Sequence, residues 1–139
     1  MKGKVLFLLL GIVVVSVFSS CNGDKYYFLD FKNKTGEEIR LVSFLLYDET
    51  KYELSTWVSS GDSTRLYSGV AMSDAELVFL FNGKEYMVKA GYTDYYPGFT
   101  VEVSKSPDSP YGIKATFIGK SIWMGDEKEE MEITEVTED

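Results

Sequence analysis

The sequence predicts an all-β domain, an antiparallel β-sandwich of the immunoglobulin-like or transthyretin-like kind, with a small closed β-barrel as the alternative. Three observations carry that reading. Apolar and polar residues alternate through most of the chain from residue 26 onward. Gly is frequent, Pro is rare and aromatic residues reach 15%, a composition that suits many short strands joined by turns. No stretch after residue 26 repeats its apolar residues at the three- and four-residue spacing of an amphipathic helix.

The elements follow in order. "YYFLDF" (26–31) is the first predicted strand, and "NKTGEE" (33–38) turns the chain, Gly36 being free to take positive φ. "IRLVSFLLY" (39–47) is a second strand, apolar on both faces in its later half. "DETK" (48–51) turns into "YELSTWV" (52–58), and "SSGD" (59–62) turns into the short strand "STRLYS" (63–68), placed at a sheet edge. The strongest local signal is "AELVFLFNGKEYMVKA" (75–90): Asn82-Gly83 between two apolar runs marks a two-residue hairpin, because a type I′ turn needs positive φ twice. Such a loop fixes register, with Phe81 opposite Lys84, Phe79 opposite Tyr86 and Leu77 opposite Val88. It sends Leu77, Phe79, Tyr86 and Val88 to the core.

"GYTDYYPG" (91–98) is a loop. "FTVEVS" (99–104) alternates with Phe99, Val101 and Val103 inward, and "KSPDSPYG" (105–112) is a turn-rich connection. "IKATFIG" (113–119) and the short "SIWM" (121–124) are strands. An acidic tail (126–139) follows, in which "MEITEV" can add a last strand. One sandwich domain over 26–136 accommodates these elements.

Residues 1–20 form a targeting segment. Lys2 and Lys4 make a positive start, and Val5 to Val17 is an apolar run too short to span ~30 Å of hydrocarbon as a permanent helix. Small residues Ser19 and Ser20 then precede Cys21, the only cysteine. This stretch resembles a bacterial lipoprotein signal ending in a lipobox, with Phe18 where Leu is usual, as in the loosened boxes of Bacteroidota lipoproteins. The resemblance covers residues 1–21. It implies a diacylglycerol thioether on Cys21, cleavage before it, acylation such as palmitate on the new amino group, and a short lipidated tether over 21–25. At ~0.8 kcal/mol per buried CH₂, two or three acyl chains hold a protein to a membrane. The implied location is the bacterial cell envelope, at the outer membrane, with the periplasmic or surface face left open.

The formal charge is −8, and the leader contributes two lysines and no acid, so the body is more acidic still. Nucleic acid is not an expected partner. The chain has no His, which removes the commonest general base and metal ligand. No Ser-His-Asp or Cys-His arrangement is available, and there is no G-x-S-x-G, H-E-x-x-H or P-loop motif. Paired carboxylates could hydrolyse a glycoside, but no pair stands out, and no catalytic residue or cofactor is assigned. Loop acids Asp48, Glu49, Asp62, Asp74, Asp94 and Asp108 lack a D-x-D-x-D spacing, so no metal is expected.

Two ligand surfaces are suggested instead. The loop residues Tyr92, Tyr95 and Tyr96, with Asp94, could form an aromatic platform for a glycan. The preferred reading is that they cover the end of the sandwich with rings buried and hydroxyls wet, since tyrosine clusters are normal at strand ends. The doubly apolar segments 41–47 and 77–81 need either a covering tail or loop, or a partner protein. Trp57 and Trp123 are expected in the core. The expected role is non-catalytic binding of an envelope protein, with glycan binding as the alternative and a carboxylate hydrolase behind both.

Overall fold

The computed structural model describes residues 27–93, 96–121 and 125–137. Cys21, Asp94, Tyr95 and Trp123 lie outside the described residues. Asn82 and Gly83 take the expected positive φ, 52° and 83°, and the hairpin they close has the register the turn dictates, Phe79 opposite Tyr86 and Leu77 opposite Val88. Around it the described residues form ten strands: β1 (Tyr27–Lys34), β2 (Ile39–Leu45), β3 (Lys51–Val58), β4 (Ser63–Ser68), β5 (Glu76–Phe81), β6 (Lys84–Lys89), β7 (Gly98–Lys105), β8 (Ile113–Ser121), β9 (Gly125–Met131) and β10 (Ile133–Glu135).

These strands build two five-stranded sheets, ordered β4-β1-β7-β8-β9 and β10-β6-β5-β2-β3. The sheets do not close on each other, so the arrangement is a sandwich and not a barrel. One ladder departs from the antiparallel expectation: β1 runs parallel to β7, Phe31 beside Val101. Alternation dictates which face a residue takes, not which strand it joins, so this pairing has no local signature.

The chain changes sheet through the short 59–62 turn and again at Glu132, which leaves β3 beside β4 at one margin and β9 beside β10 at the other. The tail supplies β10, paired with β6 inside the "MEITEV" stretch expected to add a last strand, and also β9, which was not expected and runs antiparallel to β8 along its whole length. "SIWM" is not a strand of its own in the described part, since β8 extends to Ser121 and β9 begins at Gly125.

Inward positions interlock between the sheets. Leu29, Phe31, Ile39, Leu41, Phe79, Val101, Val103 and Ala115 are all essentially inaccessible to solvent, and each fully buried large side chain contributes about 1.5–3 kcal/mol. Phe31 meets Phe79 at 5.8 Å and Phe79 meets Tyr86 at 5.9 Å between ring centroids.

The double-faced run "LVSFLL" is explained by a register shift between Leu41 and Ser43. Leu41 pairs with inward Phe79, yet Phe44, three residues later, pairs with inward Leu77. The extra residue switches the alternation, so Leu41, Phe44 and Leu46 are all buried while Val42 and Leu45 turn outward and are half-buried.

Asn33 ties the sheets together at the β3–β4 margin. Its fully buried amide donates to the carbonyl oxygens of Glu37 and Val58, both at 2.7 Å. Its Oδ1 accepts from the Thr35 backbone N–H at 2.9 Å and the Thr35 hydroxyl at 2.7 Å. The end of β1 is thereby bonded to the end of β3 and to the approach to β2.

Candidate functional site

The tyrosine loop is held by backbone and side-chain bonds to the segment before β5. The Asp74 N–H donates to the Gly91 carbonyl at 3.1 Å, Ala90 N–H to the Ala75 carbonyl at 2.9 Å, and the Thr93 N–H to Ser73 Oγ at 2.7 Å. The Tyr96 N–H donates to the Thr93 carbonyl at 2.9 Å. Tyr96 is buried, 4% exposed, and lies over Gly119, where an added Cβ would come within 2.9 Å of its ring. The ring meets Phe117 edge-on at 5.6 Å, and its hydroxyl donates to Glu127 Oε1. That bond, with burial adding to it, pushes the Tyr96 pKa up to about 12. Tyr96 is thus a packing residue, as in the arrangement that covers the end of the sandwich, and takes no part in an exposed platform: a glycine on β8 leaves room for the ring to turn in.

Tyr92 goes the other way and is 62% exposed. It stands beside a cleft of about 220 Å³ whose floor is Phe117 and Met131 and whose rim includes Lys89, Glu127, Glu129, Glu130 and Glu132. Of the four loop residues proposed for a ligand, Tyr92 and Tyr96 are described, and they separate. Among the described residues, no group of three acidic, His or Cys side chains is placed to hold a metal ion. Three of the loop acids serve turns: Asp48 Oδ1 accepts from the Thr50 N–H at 3.0 Å, a bond that lowers its pKa, and Glu49 and Asp74 take positive φ.

The outward faces of the two sheets differ. On the first, Phe28 covers Gly98, where a Cβ would meet its ring at about 2 Å. Arg65 lies 3.9 Å over the Phe28 ring and grips Asp30 with two hydrogen bonds, 2.7 and 2.9 Å. This face is self-satisfied. On the second, one cross-strand row reads Trp57, Arg40, Leu80, Glu85 and the next contains Ser43, Val78 and Met87. Val42, Val78, Leu80 and Met87 are half-buried, Trp57 is 57% exposed, and among the described residues no strand packs over them.

Trp57 corrects the expectation that both tryptophans belong to the core. Val58, Thr56 and Leu54 face inward, so the intervening Trp57 shares the outer face with Glu53 and Ser55. That signal was present in "KYELSTWV": the residues two and four before the tryptophan are polar, and alternation assigns it to their side.

No protein-family model, curated protein or solved structure matches this chain.

Proposed function

We propose that the protein is a lipid-anchored envelope protein whose sandwich binds a partner protein without catalysis. The observation that supports this most directly is the outer face of the second sheet. Leu80, Val78, Met87 and Val42 form an apolar patch, with Arg40 standing between Leu80 and the exposed Trp57, Glu85 beyond Leu80 on the other side, and Glu76 and Lys89 at the far end. An apolar centre with an exposed Trp and a mixed-charge rim matches the anatomy of a protein-binding surface. The partner is an envelope protein with an apolar patch ringed by charges of both signs. Lipid on Cys21 would hold the two on one membrane and raise their effective concentration.

The test is a photo-reactive residue at position 80 in cells that make the full chain. A discrete adduct is expected, lost when Trp57→Ala and Val78→Asp are combined in a chain that still melts cooperatively. Adducts formed equally well from a probe on the opposite face, at position 32, would sink the reading. Intact mass of the membrane-extracted protein tests the anchor separately: wild type should carry acyl mass and Cys21→Ala should not. The glycan reading retains, among the described residues, only Tyr92.

A further inference from the structure

The sandwich has four edge strands, β4, β9, β10 and β3. An uncovered edge presents a row of backbone donors and acceptors that another strand can pair with, and proteins usually blunt it. β10 is blunted by its length of three residues. β9 is charged along most of its course, and its Glu127 and Glu129 occupy inward positions, opposite Gly119 and Phe117. β4 is short, with Arg65 near its centre. β3 has Lys51 and Glu53 in its first half and a register shift against β2 at Leu54–Ser55, but is otherwise the least defended. It is eight residues long, and the stretch Leu54 to Val58 contains no charge and no Pro. Among the described residues β2 is its only ladder partner, and no other backbone hydrogen bond is made by Tyr52–Trp57.

We propose that β3 pairs antiparallel with β3 of a second copy of this chain, Leu54 opposite Leu54, about a two-fold axis normal to the sheet. The register follows from three constraints. Opposed side chains must share a face, so Tyr52, Leu54, Thr56 and Val58 oppose one another and Lys51, Glu53, Ser55 and Trp57 do likewise. Centring the pair on Glu53 sets two carboxylates face to face. Centring it on Ser55 needs Val58 as a pairing residue, and the Val58 carbonyl is already bonded to the buried Asn33 amide. Centring on Leu54 avoids both. It sets each Lys51 ammonium across from the exposed Trp57 indole, a cation–π pairing, and each Glu53 across from Ser55.

The same register gives Tyr52 of the second copy, 43% exposed in one chain, a place to go. It lies opposite Thr56, at the mouth of a groove of about 420 Å³ lined by Thr56, Val58, Asp62, Ser63 and Thr64. Both sheets then join edge to edge into one continuous sheet. The pairing uses the margin of the second sheet and shares Trp57 with the outer face, so its test leaves Trp57 unaltered and changes only Ser55.

The full chain in detergent, followed by sedimentation over a concentration series, tests this. Wild type should be in monomer–dimer equilibrium. Ser55→Glu sets two like-charge pairs against Glu53 and should weaken the dimer about tenfold. Ser55→Lys sets two opposite-charge pairs and should leave it as tight or tighter. Ser55 is exposed, and unchanged thermal melts will show that both variants fold. A wild type that stays monomeric, or two variants that shift the equilibrium in the same direction, overturns the proposal.

Discussion

The two margins of the sandwich solve the same problem in opposite ways. At the β9–β10 margin the last strands are acidic, and inward-facing Glu127 and Glu129 make strand addition costly because a new neighbour would bury them. The carboxylate of Glu127 is put to use as the acceptor for Tyr96. At the β3–β4 margin the polar group is neutral and sits deeper: the Asn33 amide satisfies carbonyl oxygens from two neighbouring segments, and β3 outside it carries no charge over its second half. One margin is protected by groups that repel a visitor, whereas the other is rigid behind and open in front. Stability and stickiness are therefore separable in this fold, and each margin can be altered without the other.

The largest expected effect is at the neutral margin. Asn33→Ala removes the acceptor of the Thr35 N–H and the side-chain donor to the Val58 carbonyl oxygen in a buried site, while the Glu37 carbonyl keeps the Thr35 hydroxyl. It should cost about 3 kcal/mol, on the order of 15 °C in melting temperature for a body this size. Calorimetry reads this directly, and a loss below about 1 kcal/mol would mean water replaces the amide. Next comes Gly119→Ala at the acidic margin. The new methyl meets the Tyr96 and Phe117 rings at 2.9 Å, and displacing them should cost about 1–3 kcal/mol, read by chemical denaturation together with a rise in Tyr96 accessibility.

A third change would erase the difference between the margins. Replacing Glu127 and Glu129 with Thr gives β9 a neutral inward side like that of β3. Light scattering should then show new concentration-dependent association, with the melting temperature lowered only by loss of the Tyr96–Glu127 hydrogen bond. If association stays at the wild-type level, inward charge is not what protects that edge.

The smallest effect is a matter of pH. The Tyr96 pKa, ordinarily 10.0, is raised to about 12 because Glu127 accepts from the neutral hydroxyl. The folded state therefore holds this proton more tightly than the unfolded chain. The resulting stabilisation is complete below about pH 10 and disappears as pH rises through about 12. Tyr96→Phe should flatten the alkaline fall in stability measured by urea melts. Tyr86, raised mainly by burial, leaves a residual slope of the same sign.

What the sequence made legible was local. Asn82-Gly83 dictated a turn, the turn dictated a register, and the register dictated which four side chains of the hairpin enter the core. The 63–68 strand was readable to the residue, and its edge position followed from its length and polarity. The run 41–47 was misleading because a strict two-residue period cannot represent an inserted residue; with the Leu41–Ser43 shift, Phe44 and Leu46 are buried and no second apolar layer is needed. The acidic tail read as solvated, and it is, yet an edge strand exposed on both faces can be both solvated and hydrogen-bonded. For Tyr96 the sequence offered burial at the end of the sandwich as one reading but gave no sign of which residues receive the ring. Its burial depends on Gly119, more than twenty residues along the chain on another strand, and alternation carries no information about which strands become neighbours.

The strand nearest the amino end also lies inside its sheet, bonded to β4 on one flank and to β7 on the other. Tension applied before Tyr27 along the strand axis would load both ladders in shear, so that their bonds yield together and not one at a time. For a chain moored at Cys21, as proposed above, drag on the body would be met by two rows of amides at once, which makes this strand the mechanical root of the molecule.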